Sequence, residues 1–306
     1  MINGYPVNKV FPRDQRNAVS SKRPYAFFLE KELGRSGRIE DVATLFLTNR
    51  ECPFHCVMCD LWKNTLTESV QSGDIPLQIS YALNQLPPAD SIKLYNSGNF
   101  FDPKAIPYSD HLVIAELVKN FSNVIVENHP KLCTNDCGEF FQLIAPASFE
   151  IAIGLETCHE PSLKWLDKSF GLRDFESAVS LLRKSGINVR VFLLLGLPGL
   201  SREDSIEWTL RSIAYAANLG VECFSIIPTR SDSPAFQRSK EDGSFFEPTG
   251  DQMEETFERA LQLNSGRVFM DLWDAKRFFT SSSSTEMRIQ RLESMNLSQK
   301  ISNLST

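Results

Sequence analysis

Three thiols sit close together in the stretch Cys52-Pro53-Phe54-His55-Cys56-Val57-Met58-Cys59, with the spacing C-x3-C-x2-C. Thiolates are soft ligands that suit iron–sulfur clusters and zinc. A closed structural metal site takes four protein ligands, whereas a reactive one keeps a position open for water, substrate or cofactor. Three Cys leave such a position. His55 is the nearest fourth candidate, but it lies between two of the Cys, a tight place from which to reach the same ion. The spacing therefore predicts a metal centre at Cys52, Cys56 and Cys59, with iron–sulfur chemistry ahead of zinc.

The apolar run Val42–Leu47 shortly before this loop reads as a buried strand. From there strand-like and helix-like patterns alternate. Strands are predicted at 91–95, 123–126, 149–153, 188–195 and 221–227. Between them, Ile79, Ala82, Leu83 and Leu86 recur at helical spacing, as do Ile114, Leu117, Val118 and Phe121, and Phe175, Ala178, Val179 and Leu182. A further helix is predicted over 135–144. Capping-box patterns at Ser201-x-x-Asp204 and Thr249-x-x-Gln252 open two more. Six strands joined by helices require a parallel sheet. Periodicity allows either an open doubly wound sheet or an incomplete barrel. Both place reactive groups at the carboxyl ends of the strands, where the Cys loop falls. The first 40 residues read as polar and irregular, with one helix near 25–33. Beyond Val268-Phe269-Met270 the pattern thins into the Ser-rich stretch 280–285, followed by a short amphipathic segment, 287–295, expected to dock on the body.

The chain has 306 residues, 42% of them hydrophobic, enough for one large α/β body. A net charge of -6 gives no global case for nucleic-acid binding. Between Lys9 and Arg38, however, eight basic residues (Lys9, Arg13, Arg16, Lys22, Arg23, Lys31, Arg35, Arg38) face three acids (Asp14, Glu30, Glu32). No secretory leader pattern opens the sequence, and no apolar run approaches the roughly 20 residues of a membrane span. The chain has seven Cys, and a reducing cytoplasm is the expected location, where clustered Cys are metal-binding or catalytic rather than disulfide-bonded.

A C-x3-C-x2-C loop after a first strand resembles the signature of the radical S-adenosylmethionine (SAM) superfamily. The resemblance implies a partial (β/α)6 barrel of parallel strands, an α/β fold, with amino- and carboxyl-terminal extensions. It also implies two cofactors, a [4Fe-4S] cluster on Cys52, Cys56 and Cys59 and SAM on the fourth iron. One electron from the cluster then cleaves SAM to a 5′-deoxyadenosyl radical that abstracts hydrogen from substrate. Met58 stands where relatives usually have an aromatic. The stretch Ser97-Gly98-Asn99 at the second strand's end resembles the Gly-rich segment that binds the SAM amino group, with only Gly98 of the usual two glycines. Glu127 in Glu-x-x-Pro and Glu156 in Gly154-Leu155-Glu156 end the third and fourth strands, as in coproporphyrinogen dehydrogenase and the elongator-type enzymes, where the residue matching Glu156 bonds the SAM ribose. A carboxylate suits a diol because it accepts from both hydroxyls. Lys168 matches a basic residue that pairs with the SAM carboxylate. Gly196 in Gly-Leu-Pro-Gly and Ile227 before Pro228 match turns beside the adenine. Phe192 replaces an Asp that contacts ribose in coproporphyrinogen dehydrogenase, so that role is not carried over.

The expected organisation is a basic amino-terminal extension (1–40), a radical SAM core (41–265) and a carboxyl-terminal extension with a Ser-rich linker (266–306). The expected activity is radical SAM catalysis on a small metabolite or biosynthetic intermediate. The alternatives are modification of tRNA or a nucleoside, which the elongator and archaeosine-synthase resemblance implies, and a non-catalytic iron–sulfur or zinc module. A radical SAM enzyme also needs an electron donor of flavodoxin or ferredoxin type.

Overall fold

The computed structural model describes residues 16–279 and 284–302. Lys9, Arg13 and most of the Ser-rich stretch lie outside them. One eight-stranded sheet runs through the molecule in the order β1 to β8. Its strands are β1 (Ala26–Leu33), β2 (Ile39–Phe46), β3 (Ser91–Tyr95), β4 (Asn123–Asn128), β5 (Ser148–Glu156), β6 (Asn188–Leu195), β7 (Cys223–Pro228) and β8 (Arg267–Met270). All neighbours from β2 onward are parallel, and β1 pairs antiparallel with β2. The helices are α1 (Asp74–Leu83), α2 (His111–Val118), α3 (Asn135–Leu143), α4 (Glu160–Trp165), α5 (Leu172–Lys184), α6 (Arg202–Asn218), α7 (Pro234–Glu241), α8 (Gly250–Gln262) and α9 (Thr285–Ser298). This is a partial barrel. The six strands expected from the sequence are β2 to β7, and β1 and β8 extend the sheet across both ends of the expected core. No helix among the described residues is long and apolar enough to cross a membrane.

The helix expected near residues 25–33 is instead strand β1. Leu29-Glu30-Lys31-Glu32-Leu33 is rich in good helix formers, but pairing with β2 overrides that local preference. Alternation does the rest: Glu30 and Glu32 point into the barrel, where Lys93 reaches both at 2.9 and 2.6 Å.

Strands β2 to β7 carry buried residues on both faces, whereas no residue of β1 is fully buried. Leu45, Leu94, Val126, Ile151, Val191 and Phe224 pack outward against the helices with no exposed surface. The inward faces are polar low in the barrel. There Arg190 bonds Glu150 at 2.7 Å and Glu32, and Arg267 bonds Glu150 at 3.0 Å. Burial alone would raise the Glu32 pKa, yet Arg190 and Lys93 outweigh it and hold the carboxyl far below its ordinary value. The capping box forms in full at α8, where the Thr249 hydroxyl accepts from Gln252 N at 3.3 Å and Thr249 N donates to Gln252 Oε1 at 3.1 Å; at α6 only its first half forms, the Ser201 hydroxyl accepting from Asp204 N at 3.0 Å.

The sheet is not closed through β1 and β8. Helix α9 packs against both. Its Asn296 amide donates to Met270 O (2.9 Å) and accepts from Met270 N (2.8 Å), and Gln299 makes the same pair of bonds to Val268, each 2.7 Å. Two side-chain amides thus satisfy the open edge of β8 as a ninth strand would.

Candidate functional site

The Cys loop leaves β2 at the carboxyl end of the barrel and is tied down on both flanks. Val57 N donates to Leu166 O at 2.9 Å, and Cys59 N to Cys56 O at 3.1 Å. Phe54 stacks on His129 with ring centres 3.7 Å apart and planes 16° apart. Val57 and Met58 pack against the cluster of Trp165, Leu166 and Leu194, so Met58 supplies the apolar cover expected from an aromatic. All three Cys are half-buried and none is in a disulfide. Burial pushes the Cys52 and Cys56 thiols up to about 11; an Asn99 amide donating to Cys52 Sγ at 3.1 Å and the nearby Lys168 charge act in the opposite sense. Among the described residues no three His, Cys, Asp or Glu side chains converge on the position of a single metal ion.

The segment 96–99 follows β3 beside this loop. Glu127 holds it: one carboxylate oxygen accepts from Asn96 N at 2.5 Å and Gly98 N at 3.4 Å. Burial raises the Glu127 pKa to about 7 in spite of those bonds. Ser97 has a left-handed backbone, φ 51°, and its hydroxyl bonds the Tyr25 phenol at 2.8 Å. A Cβ on Gly98 would meet nothing closer than 3.6 Å, so protein packing does not demand this glycine. Asn96 Oδ1 is buried without a partner.

On the far side, a bulge between Gly154 and Glu156 and a left-handed Glu156 (φ 65°) turn that carboxylate inward. It pairs with Lys168, whose ammonium also donates to Gly154 O at 2.7 Å. A Cβ on Gly154 would run into the ends of the Glu156 and Lys168 side chains, so this pair could not keep its present position over any other residue. Burial would lower the Lys168 pKa, but Glu156 and Cys56 raise it overall. Asp167 and Ser169, either side of Lys168, are also left-handed (φ 51° and 60°). Strain of this kind collects at functional sites. His129 fixes the segment. Its Nδ1 accepts from Lys131 N, so Nε2 carries the proton donated to Lys168 O at 2.8 Å. Burial lowers its pKa to about 4, so the ring is neutral at physiological pH.

The structure therefore gathers Cys52, Cys56, Cys59, Ser97, Gly98, Asn99, Glu127, Glu156 and Lys168 at one rim. Ile227 joins them through the apolar cluster that covers the Cys loop. Gly196 sits in its turn with φ 90° and donates to Ser205 Oγ at 2.6 Å. The remaining thiols lie apart: Cys133 and Cys137 against each other, Cys158 beside Ser212, and Cys223 low in the barrel near Arg190. Sequence reasoning missed Tyr25, hidden in the misread helix, and gave no role to His129, whose only signal was its place inside Glu-x-x-Pro. The basic arm is also divided. Lys22 and Arg23 precede β1 at the Cys-loop end, whereas Arg35 and Arg38 occupy the turn after it, at the opposite end.

No protein-family model matches the chain. Among solved structures it is similar to Methanocaldococcus infernus Elp3 (18% identity, TM-score 0.53, 72% of this chain and 59% of that one). A radical SAM methyltransferase from Sphaerobacter thermophilus is also similar (14%, TM-score 0.52, 85% and 78%). The chain thus shares the half-barrel fold of these two structures. Among curated proteins it is similar to archaeosine synthase subunit beta of Methanosarcina acetivorans, 27% identical over 169 residues, or 53% of this chain and 49% of that one. An uncharacterised protein of Methanocaldococcus jannaschii is 21% identical over 228 residues, 70% of this chain and 62% of its own length. The chain spans less than two thirds of each of these curated relatives.

Proposed function

We propose that the chain is a radical SAM enzyme, with Cys52, Cys56 and Cys59 holding a [4Fe-4S] cluster and SAM bound across the rim. The observation that carries this is the linkage of the Cys loop to both expected SAM-binding flanks, by Asn99 on Cys52 and by Lys168 beside Cys56. The residues fit both groups. Three soft thiols strung along one loop, not converging on one point, suit the separate irons of a cluster better than a single zinc. Metal binding also removes the cost of ionising two buried thiols. At the 96–99 segment, a bare Gly98 that packing does not require and an orphaned Asn96 Oδ1 leave room and an acceptor for an ammonium.

When bound, the cluster supplies the electron that cleaves SAM to methionine and the 5′-deoxyadenosyl radical. The chain's own residues bind and orient. Ser97, Gly98 and Asn99 receive the amino end, with Glu127 holding their backbone. Lys168 takes the carboxylate and Glu156 the ribose hydroxyls, exchanging their mutual pair for the ligand's. Gly196 and Ile227 border the adenine. The electron comes from a flavodoxin- or ferredoxin-type donor, and seven Cys without a disulfide among them fit a reducing cytoplasm. We retain residues 41–265 as the catalytic core, with 1–40 and 266–306 as extensions.

Anaerobic reconstitution tests this. About four irons per chain and 5′-deoxyadenosine formation under reductant are expected. Cys56→Ala loses both and Cys137→Ala keeps both. A colourless zinc protein, or cleavage that survives Cys56→Ala, refutes the reading.

The second substrate is a small metabolite or biosynthetic intermediate on the charge argument. Similarity to archaeosine synthase subunit beta favours a nucleoside or tRNA instead. Removing residues 1–40 would delete β1, so the discriminating variant is Lys22→Ala/Arg23→Ala at the rim. If tRNA is the substrate, its binding weakens steeply with salt and the double variant lowers the salt slope. Salt-independent or absent tRNA binding leaves the metabolite reading.

A further inference from the structure

The arm that precedes β1 crosses the rim and is pinned to both cofactor loops, 52–59 and 96–99. At its start, Arg16 reaches the base of the Cys loop. Its Nη1 donates to Trp62 O and to Thr65 Oγ1, each at 2.9 Å, and its Nη2 pairs with Glu51, the residue before Cys52. The guanidinium also lies over the Trp62 ring at 5.6 Å. Asn17 N donates to Lys63 O at 2.7 Å. Halfway along, the fully buried Gln78 of α1 donates to Ser21 O at 2.6 Å and exchanges two bonds with the Thr48 backbone, each 2.7 Å. At the end of the arm, Tyr25 N donates to Phe46 O at 2.9 Å and its ring packs on Phe46 at 5.5 Å. That ring carries the hydroxyl bonded to Ser97 Oγ at 2.8 Å.

Each anchor falls at a point that sets a loop's shape. The Cys loop is an excursion whose two ends meet, Glu51 N donating to Leu66 O at 2.9 Å and Leu66 N to Asn49 O at 2.8 Å. Arg16 bonds Glu51 on the way in and Thr65 on the way out, and so closes this base from outside. Its side chain is 21% exposed and bonded to a carboxylate and a carbonyl, so its charge is spent inside the chain. Ser97 holds the left-handed backbone that side chains other than glycine adopt rarely. The Tyr25 bond fixes its side chain, beside the Asn96 and Gly98 amides that Glu127 holds. The two anchored loops also meet, for Asn96 Nδ2 donates to Asn49 Oδ1 at 2.8 Å.

We propose that residues 16–25 are a strap that positions both cofactor loops, with Arg16 the positioning residue of the Cys loop and Tyr25 that of the segment receiving the SAM amino group. The proposal rests on the radical SAM reading and deepens it. A segment whose basic charge points toward an anionic partner is used in part to organise the chain's own loops.

Exchange and binding measurements test it. In the cluster-free protein, Tyr25→Phe should speed amide hydrogen exchange at Asn96 and Gly98 by about threefold or more. In the reconstituted protein it should keep the wild-type iron content and weaken S-adenosylhomocysteine by about threefold to tenfold, the worth of one hydrogen bond. Binding of 5′-methylthioadenosine, which lacks the amino-acid end, should stay as in the wild type. Arg16→Met should release iron to a chelator by about threefold or more faster. Tyr25→Phe removes a single oxygen, so it keeps the test valid if Arg16→Met does not fold. Unchanged exchange, unchanged S-adenosylhomocysteine affinity, equal weakening of the two nucleosides, or unchanged iron release from a folded Arg16→Met would each overturn the proposal. A wild type that takes up neither cluster nor S-adenosylhomocysteine refutes the radical SAM reading itself, and the strap's role with it. The variants fail separately, against a wild type that binds both.

Discussion

Lys168 and Glu156 show how the rim keeps charge out of water. Both side chains are 7% exposed and each is the other's main partner. Removing one partner of a buried pair strands the other. Lys168→Met should therefore cost about 3–5 kcal/mol in urea unfolding, and adding Glu156→Gln should recover most of it. No recovery in the double variant would mean that Lys168 acts through packing instead. Glu127 carries a pH signature of the opposite kind. Its pKa rises from 4.5 to about 7 on folding, so between those values the folded chain binds more protons than the unfolded one. Stability should then fall as pH rises through that window, and Glu127→Gln should remove this share of the slope. Melting temperatures of both proteins at pH 4.5 to 7 measure it, and parallel curves would contradict the assignment.

Among the elements, the edge of β8 depends on two amides of α9. Asn296→Ala/Gln299→Ala removes four hydrogen bonds to β8 backbone groups. The expected cost is about 2–4 kcal/mol, with faster hydrogen exchange at Val268 and Met270 and greater aggregation through the bared edge. Unchanged exchange at those two amides would show that the edge is protected by other means. Elements with strong periodicity were legible in advance: β6 matches its expected limits, and Ser201 and Thr249 cap α6 and α8. β8 was not, because four residues carry too little pattern to separate strand from loop. β1 was misread because its identity rests on contacts with β2, Lys93 and Arg190, all distant in sequence. At the site, the Cys loop and the acids at strand ends were legible because their chemistry is local. Tyr25 and His129 act by reaching other segments, which no spacing records.

Across the whole molecule, the barrel is held at its lower end by charge and at its helical faces by apolar packing. Arg190 is the hub of the lower network, 3% exposed and bonded to Glu32 and Glu150. Arg190→Leu leaves both carboxylates short of a partner and should destabilise by about 3–5 kcal/mol, whereas Arg211→Ala, which breaks an exposed pair with Glu207, should change stability by less than about 0.5 kcal/mol. Equal effects in urea titrations would contradict this division. The seam between β1 and β8 has a consequence in time. The covering helix α9 is translated some 250 residues after β1, so on the ribosome the sheet's first strand must pair with β2 and then wait, its other edge bare, until the last helix emerges. Among the described residues that edge waits for α9, and a chaperone or a second nascent chain would find it there.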